Sequence, residues 1–148
     1  MNTFKDIPQI RYEGANSKNP FSFKFYDAER QIGGKAMKEH LKFAMSWWHT
    51  LCAAGTDPFG DDTIERTYGQ KDLMNRAKAR TDAGFELMEK LGIDYFCFHD
   101  ADVAPRGRDF AETRDNFHQI TNYIEEKMKA TGIKQLWGTA NCFSHPRY

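Results

Sequence analysis

An apolar run from Ile93 to Phe98 stops abruptly at His99, and carboxylates follow at Asp100 and Asp102. That is how a buried strand reads when it delivers polar groups to the mouth of a barrel or an open α/β sheet. Its flanks fix the class. Upstream, Leu73, Met74, Ala77, Thr81, Gly84, Phe85, Met88 and Leu91 share one helical face, and Gly92 is a natural stop. Downstream, Asp109 and Glu112 give a helix-start signal, and Phe110, Phe117, Ile120, Ile124 and Met128 continue as a second amphipathic helix up to Gly132. Ile133 to Trp137 is again strand-like. Strand, helix and strand make a βαβ unit, whose strands are expected to be parallel and its crossover right-handed.

The rest of the chain is less regular. Residues 1–20 are polar and read as an irregular arm. Phe21, Phe23 and Phe25 alternate with Ser22 and Lys24, as in a short extended segment lying over the main body. Residues 34–54 admit two readings. Met37, Leu41, Ala44, Met45, Trp48, Leu51 and Cys52 fit one helical stripe, which slightly favours a helix, yet the bulky run from Phe43 to His49 also suits a buried strand. The Gly- and Pro-containing stretch 54–62 is a loop. After Trp137 the pattern shows no helix to cover the last strand, as expected of a larger α/β protein cut after a strand. No internal repeat or low-complexity segment is present.

Composition removes several classes. Lys plus Arg number 21 and Asp plus Glu number 21, so the net charge is zero. Nucleic-acid binding needs a basic surplus to displace counterions, and a membrane-surface role needs one too. No apolar run approaches the roughly 20 residues that span a bilayer, and the first residues carry no signal-peptide core. Cys52, Cys97 and Cys142 are odd in number and widely spaced, which predicts reduced, buried thiols and a cytoplasmic protein.

Chemistry concentrates at few places. Asp102 can fold back to the ring of His99 and fix its tautomer, which would let the imidazole move a proton near neutral pH. A histidine that merely caps a loop would show the same spacing. Trp48 and Trp137 stand near the ends of possible strands, where they could floor a sugar site or simply pack in a core. Phe59 sits in a Gly/Pro loop and would reach its own pocket or a neighbouring subunit. Asp57, Asp61, Asp62, Asp100 and Asp102 match no metal-binding spacing, so no metal ligand is assigned. Gly33-Gly34-Lys35 lacks phosphate-loop spacing, and no Gly-x-Ser-x-Gly is present. The basic loop Arg106-Gly107-Arg108 reads as solvated.

Several segments together resemble the xylose isomerase family, in its longer form with an N-terminal arm. They are Arg11-Tyr-Glu-Gly, Asn19-Pro-Phe, Phe43-Ala-Met-Ser-Trp-Trp-His-Thr, Asp57-Pro-Phe-Gly, Phe98-His-Asp-Ala-Asp, and Trp137-Gly-Thr-Ala-Asn-Cys-Phe-Ser-His-Pro-Arg-Tyr. The resemblance covers the whole chain but only about the first third of such an enzyme. It implies the start of a (β/α)₈ TIM barrel, with an arm and short helix over 1–40 and the first βα units over 41–148 as one truncated domain. Strands would lie at 42–48, 93–98 and 133–138, and the helical leaning at 42–48 gives way to a strand. The implied reaction is the isomerisation of D-xylose to D-xylulose by ring opening and a 1,2-hydride shift. By match, His99 would assist ring opening and Asp102 would orient it. Trp48 and Trp137 would line the apolar wall, Phe59 would reach an adjacent subunit's pocket, and Thr139 and Phe143 would stand near the sugar. The resemblance also implies two divalent cations (Mg, Mn or Co), a homotetramer, and pentose or hexose substrates. The family's metal ligands and catalytic Lys come from later strands, so the isolated chain is expected to be inactive without the remaining C-terminal barrel segment. The alternative is a non-catalytic, self-associating α/β fragment or scaffold whose open strand edges pair between copies.

Overall fold

A computed structural model describes residues 3–55 and 61–142. Its centre is a three-stranded sheet made of β5 (Ala44–Ser46), β6 (Tyr95–His99) and β7 (Lys134–Thr139), in the order β5-β6-β7. All neighbours are parallel, so each connection must cross over the sheet. The sheet is open. This is the βαβαβ start of a barrel, not a closed one.

Before it come small elements. β1 (Arg11–Tyr12) pairs in parallel with β2 (Ser22–Phe23), and β3 (Gln31–Ile32) pairs antiparallel with β4 (Lys35–Ala36). The helix α1 (Met37–His40) is a single turn, and α2 (Trp47–Thr50) follows β5 directly. The extended segment expected around Phe23 is therefore present, but Phe25 is 86% exposed and packs little against the body. The arm is instead held by polar contacts to the end of a long helix, α3 (Leu73–Leu91). Ile10 N donates to the Lys90 carbonyl at 2.9 Å, and Phe4 N to both Glu86 carboxylate oxygens at 3.2 Å.

Residues 42–48 settle as neither reading in full. Strand covers only 44–46, and the chain turns into helix at Trp47. The physical reason is the shortness of both pieces: three residues of strand and one turn of helix cannot establish a period.

The two long helices follow their caps. Asp72 accepts from Asn75 N at 2.7 Å to start α3, and Gly92, at φ +68°, ends it in the left-handed conformation. Asp109 accepts from Glu112 N at 2.9 Å to start α5 (Phe110–Thr131), and Gly132 ends it. Between β6 and α5 lies the single turn α4 (Asp100–Val103).

Both long helices cover one face of the sheet. Trp47, Phe85 and Phe96 meet edge to face or tilted, at 5.1 to 6.3 Å between ring centres, and all three are essentially inaccessible. Ile120 and Ile124 of α5 join Met45, Phe98 and Met88 in the same cluster. Each large side chain buried there contributes about 1.5–3 kcal/mol. Gly84 permits the approach of α3, because a Cβ there would stand 2.7 Å from Leu51 Cδ1 and 3.0 Å from the Trp47 ring. A second, polar link joins α3 and α5: Asp82 accepts from Tyr123 Oη at 2.7 Å and pairs with Lys127 at 2.6 Å.

Candidate sugar-binding face at the strand ends

Side chains alternate along β6, so Phe96 and Phe98 face the helices while Cys97 and His99 face the other side. The strand ends at His99 and α4 begins at the next residue. Asp102, the third residue of α4, turns back on the strand end. Its Oδ2 accepts from His99 N at 2.7 Å and lies 3.0 Å from His99 Nδ1. An ionised carboxylate can only accept, so Nδ1 carries the proton and Nε2 is the ring nitrogen left to take one up. The Asp102 side chain is 9% exposed and that of His99 25%, so water screens the pair poorly.

Two indoles flank this imidazole. The Trp48 ring lies 4.6 Å from the His99 ring and 5.4 Å from the Trp137 ring, and Trp137 lies 5.9 Å from His99. Consecutive tryptophans thus separate: Trp47 enters the core and Trp48 stands over His99. Trp137 arrives by an irregularity in pairing. Phe96 pairs with Gln135 but Cys97 pairs with Trp137, so Leu136 is an extra residue. Cys97 with Trp137, and His99 with Thr139, then form a row on the side away from the helices.

Behind the pair, the Asp102 carbonyl accepts from Arg80 Nη1 and from the Cys52 thiol at 3.4 Å. Burial pushes the Cys52 thiol pKa up, against the opposing pull of Arg80. Asp100 Oδ1 accepts from Asn141 N at 2.7 Å, tying the end of β7 to the start of α4.

The structure therefore brings His99, Asp102, Trp48 and Trp137 together, with Thr139 opposite His99 in register and solvent-exposed. Phe59, Phe143 and Asp57 lie outside the described residues. Among the described residues no group of three or more His, Cys, Asp or Glu could hold a metal ion. The expectation that all three thiols are buried is corrected: Cys97 is buried and Cys52 partly so, but Cys142 is exposed. Sequence reasoning missed Arg80 and Cys52 as partners of the pair, and the tie of Asp100 to Asn141. Arg80 had a readable signal, since an arginine beside the apolar stripe of Ala77, Thr81 and Gly84 needs an acceptor inside the fold.

No family model matches the chain. Individual proteins match it end to end. It is 50% identical, over 100% of its length and 34% of theirs, to the xylose isomerase of Caldicellulosiruptor bescii. The figure is 52% for the xylose isomerase of Roseobacter denitrificans, over 98% of this chain and 33% of that protein. It is likewise 52% for that of Thermotoga petrophila, over 100% of this chain and 34% of that protein. The chain is homologous to xylose isomerases. It spans about a third of the length of the xylose isomerases it matches. The similarity extends over the whole of this chain. No helix among the described residues is long and apolar enough to cross a membrane.

Proposed function

We propose that this chain is the N-terminal part of a cytoplasmic xylose isomerase, and that its strand-end face opens the sugar ring. The observation that carries the reading is His99, whose Nδ1 is engaged by Asp102 and whose ring lies beside two indoles that also meet each other. Opening a cyclic aldose breaks the C1–O5 bond, removes the proton of the O1 hydroxyl and delivers one to O5. A neutral imidazole protonated on Nδ1 can take up a proton at Nε2 and return it to the departing oxygen. Asp102 holds the ring in that tautomer and stabilises it while it is charged. Trp48 and Trp137 offer apolar surface to the C–H side of the sugar and keep water from the reacting carbons. Thr139, opposite His99, would meet the sugar from the neighbouring strand. Phe143 would add to the wall, and Phe59 would enter the site of an adjacent subunit in a homotetramer.

Divalent cations, Mg, Mn or Co, would polarise the open-chain oxygens for hydrogen transfer between C1 and C2. The described residues do not fit such ions. Asp102 is committed to His99, and Asp100 to Ala101 N and Asn141 N. In this reading the ligands come from sequence beyond this chain, so the isolated chain does not turn over xylose. Turnover of D-xylose with Mg²⁺ by this chain joined to, or complemented by, the remaining barrel segment tests the proposal. His99→Ala in that assembly should lower kcat by about 10²-fold or more, and unchanged turnover would remove His99 from the mechanism.

One observation favours a second reading, a self-associating scaffold without catalysis. All six residues of β7 are exposed, and Leu136 is 57% exposed on a strand that, among the described residues, pairs only with β6. Stable oligomers with no affinity for sugar would support it.

A further inference from the structure

Asp102 is held twice, and the two grips point in opposite directions. Its carboxylate engages His99 through the backbone amide and Nδ1. Its carbonyl receives Arg80 Nη1, reaching from the middle of α3. The Cys52 thiol donates to the same carbonyl at 3.4 Å, and Arg80 Nη1 lies 3.6 Å from that sulfur. A charged donor on a peptide carbonyl is worth roughly twice a neutral one, so Arg80 is the dominant grip. The helix that carries it cannot shift easily, because Gly84, one turn on, is in contact with the buried Trp47 and Leu51. α4 is a single turn, too short to hold its own shape. Something outside α4 must therefore set where the Asp102 carboxylate points.

We propose that Arg80 is a positioning residue that fixes the orientation and tautomer of His99 by anchoring the Asp102 peptide. As a statement about catalysis this rests on the reading of His99 given above; as a statement about the imidazole it does not. Arg80 never reaches the imidazole; its effect travels through one peptide unit. The anchor is also accessible. Arg80 lines a cavity of about 300 Å³ with Leu73, Arg76, Ala77, Val103 and Arg106.

The test reads nitrogen chemical shifts of His99 in this chain. In the parent protein the neutral ring should be a single tautomer, protonated on Nδ1. Arg80→Met keeps the alkyl stem but removes the donors, and should give a mixture of tautomers. Arg76→Met, which lines the same cavity without touching Asp102, should leave the spectrum unchanged. In Arg80→Ala, added guanidinium should restore the single tautomer. Should the methionine and alanine variants fail to fold, Arg80→Lys, which keeps the charge but moves the donor, should give an intermediate spectrum. A parent-like His99 spectrum in every folded Arg80 variant overturns the proposal, as does an equal change in Arg76→Met. In the complete polypeptide, Arg80→Met should lower kcat by about 10²-fold with the apparent KM for xylose little changed. A tautomer mixture with undiminished kcat would leave the anchoring intact and remove His99 from the chemistry.

Discussion

Trp47 and Trp48 are sequence neighbours on opposite sides of the sheet: the first is fully buried against Phe85 and Phe96, and the second lies 4.6 Å from His99. Their substitutions should separate stability from site structure. Trp47→Ala is expected to cost about 3–5 kcal/mol, read by urea unfolding. Trp48→Ala should leave the unfolding midpoint near that of the parent, while the His99 ring protons, relieved of the indole ring current, move downfield.

Two glycines, one inside α3 and one closing it, test two different constraints. At Gly84 an added methyl would sit 2.7 Å from Leu51 Cδ1 and 3.0 Å from an indole with no room to retreat. The overpacking cost of about 1–3 kcal/mol exceeds the helix-propensity gain of about 1 kcal/mol, so Gly84→Ala lowers the midpoint. Combining it with Leu51→Ala should cost less than the sum of the two. At Gly92 nothing lies within 4 Å, but φ is +68°. Gly92→Ala should cost about 1–2 kcal/mol through backbone conformation alone.

Alkaline pH should loosen the junction of α3 and α5. The Asp82 carboxylate holds the Lys127 ammonium pKa above its usual value, and burial, aided by Asp82, raises that of the Tyr123 phenol. Both groups bind their protons more tightly folded than unfolded. Their contribution is complete below their unfolded pKa values, near 10, and is lost as pH rises through the folded ones. Thermal unfolding followed from pH 8 upward should show the midpoint falling above about pH 10. In Asp82→Asn that fall should be shallower.

Thiol labelling should proceed in two phases. Burial pushes up the pKa of both Cys52 and Cys97, so little thiolate forms there at pH 8, whereas Cys142 is exposed. Mass spectrometry after brief iodoacetamide treatment should find Cys142 modified first. Rapid labelling of Cys97 at native pH would contradict its place in the sheet.

Legibility followed element length. The helices at Leu73–Leu91 and Phe110–Thr131 could be read from stripe, cap and closing glycine, because about five and about six turns gave the 3.6-residue period room to repeat. The strands Tyr95–His99 and Lys134–Thr139 could be read from apolar runs between those stops, each shifted by a residue or two from expectation. Ala44–Ser46 could not, since three residues carry no period: the bulky run allowed a strand, the stripe slightly favoured a helix, and the resemblance chose the strand. The site divided in the same way. His99 and Asp102 are three apart and meet within one turn, so their spacing could suggest the contact, though a loop-capping histidine has the same spacing. Arg80 meets Asp102 across 22 residues and two elements, a relation that only the packing of α3 creates.

The unpaired Leu136 has a consequence in parity. Were the same residues paired without this irregularity, Cys97 would stand opposite Leu136 and Phe98 opposite Trp137, and the indole would turn inward toward the helices. Gly138, whose absent side chain leaves room for the Phe98 ring and Gln135, would lose its place as well. Removing Leu136 should therefore regularise the pairing and keep Trp137 opposite Cys97, whereas removing a second residue between Ile133 and Trp137 should exchange the two faces of the strand beyond it. One residue's surplus thus decides which way the last part of this strand looks.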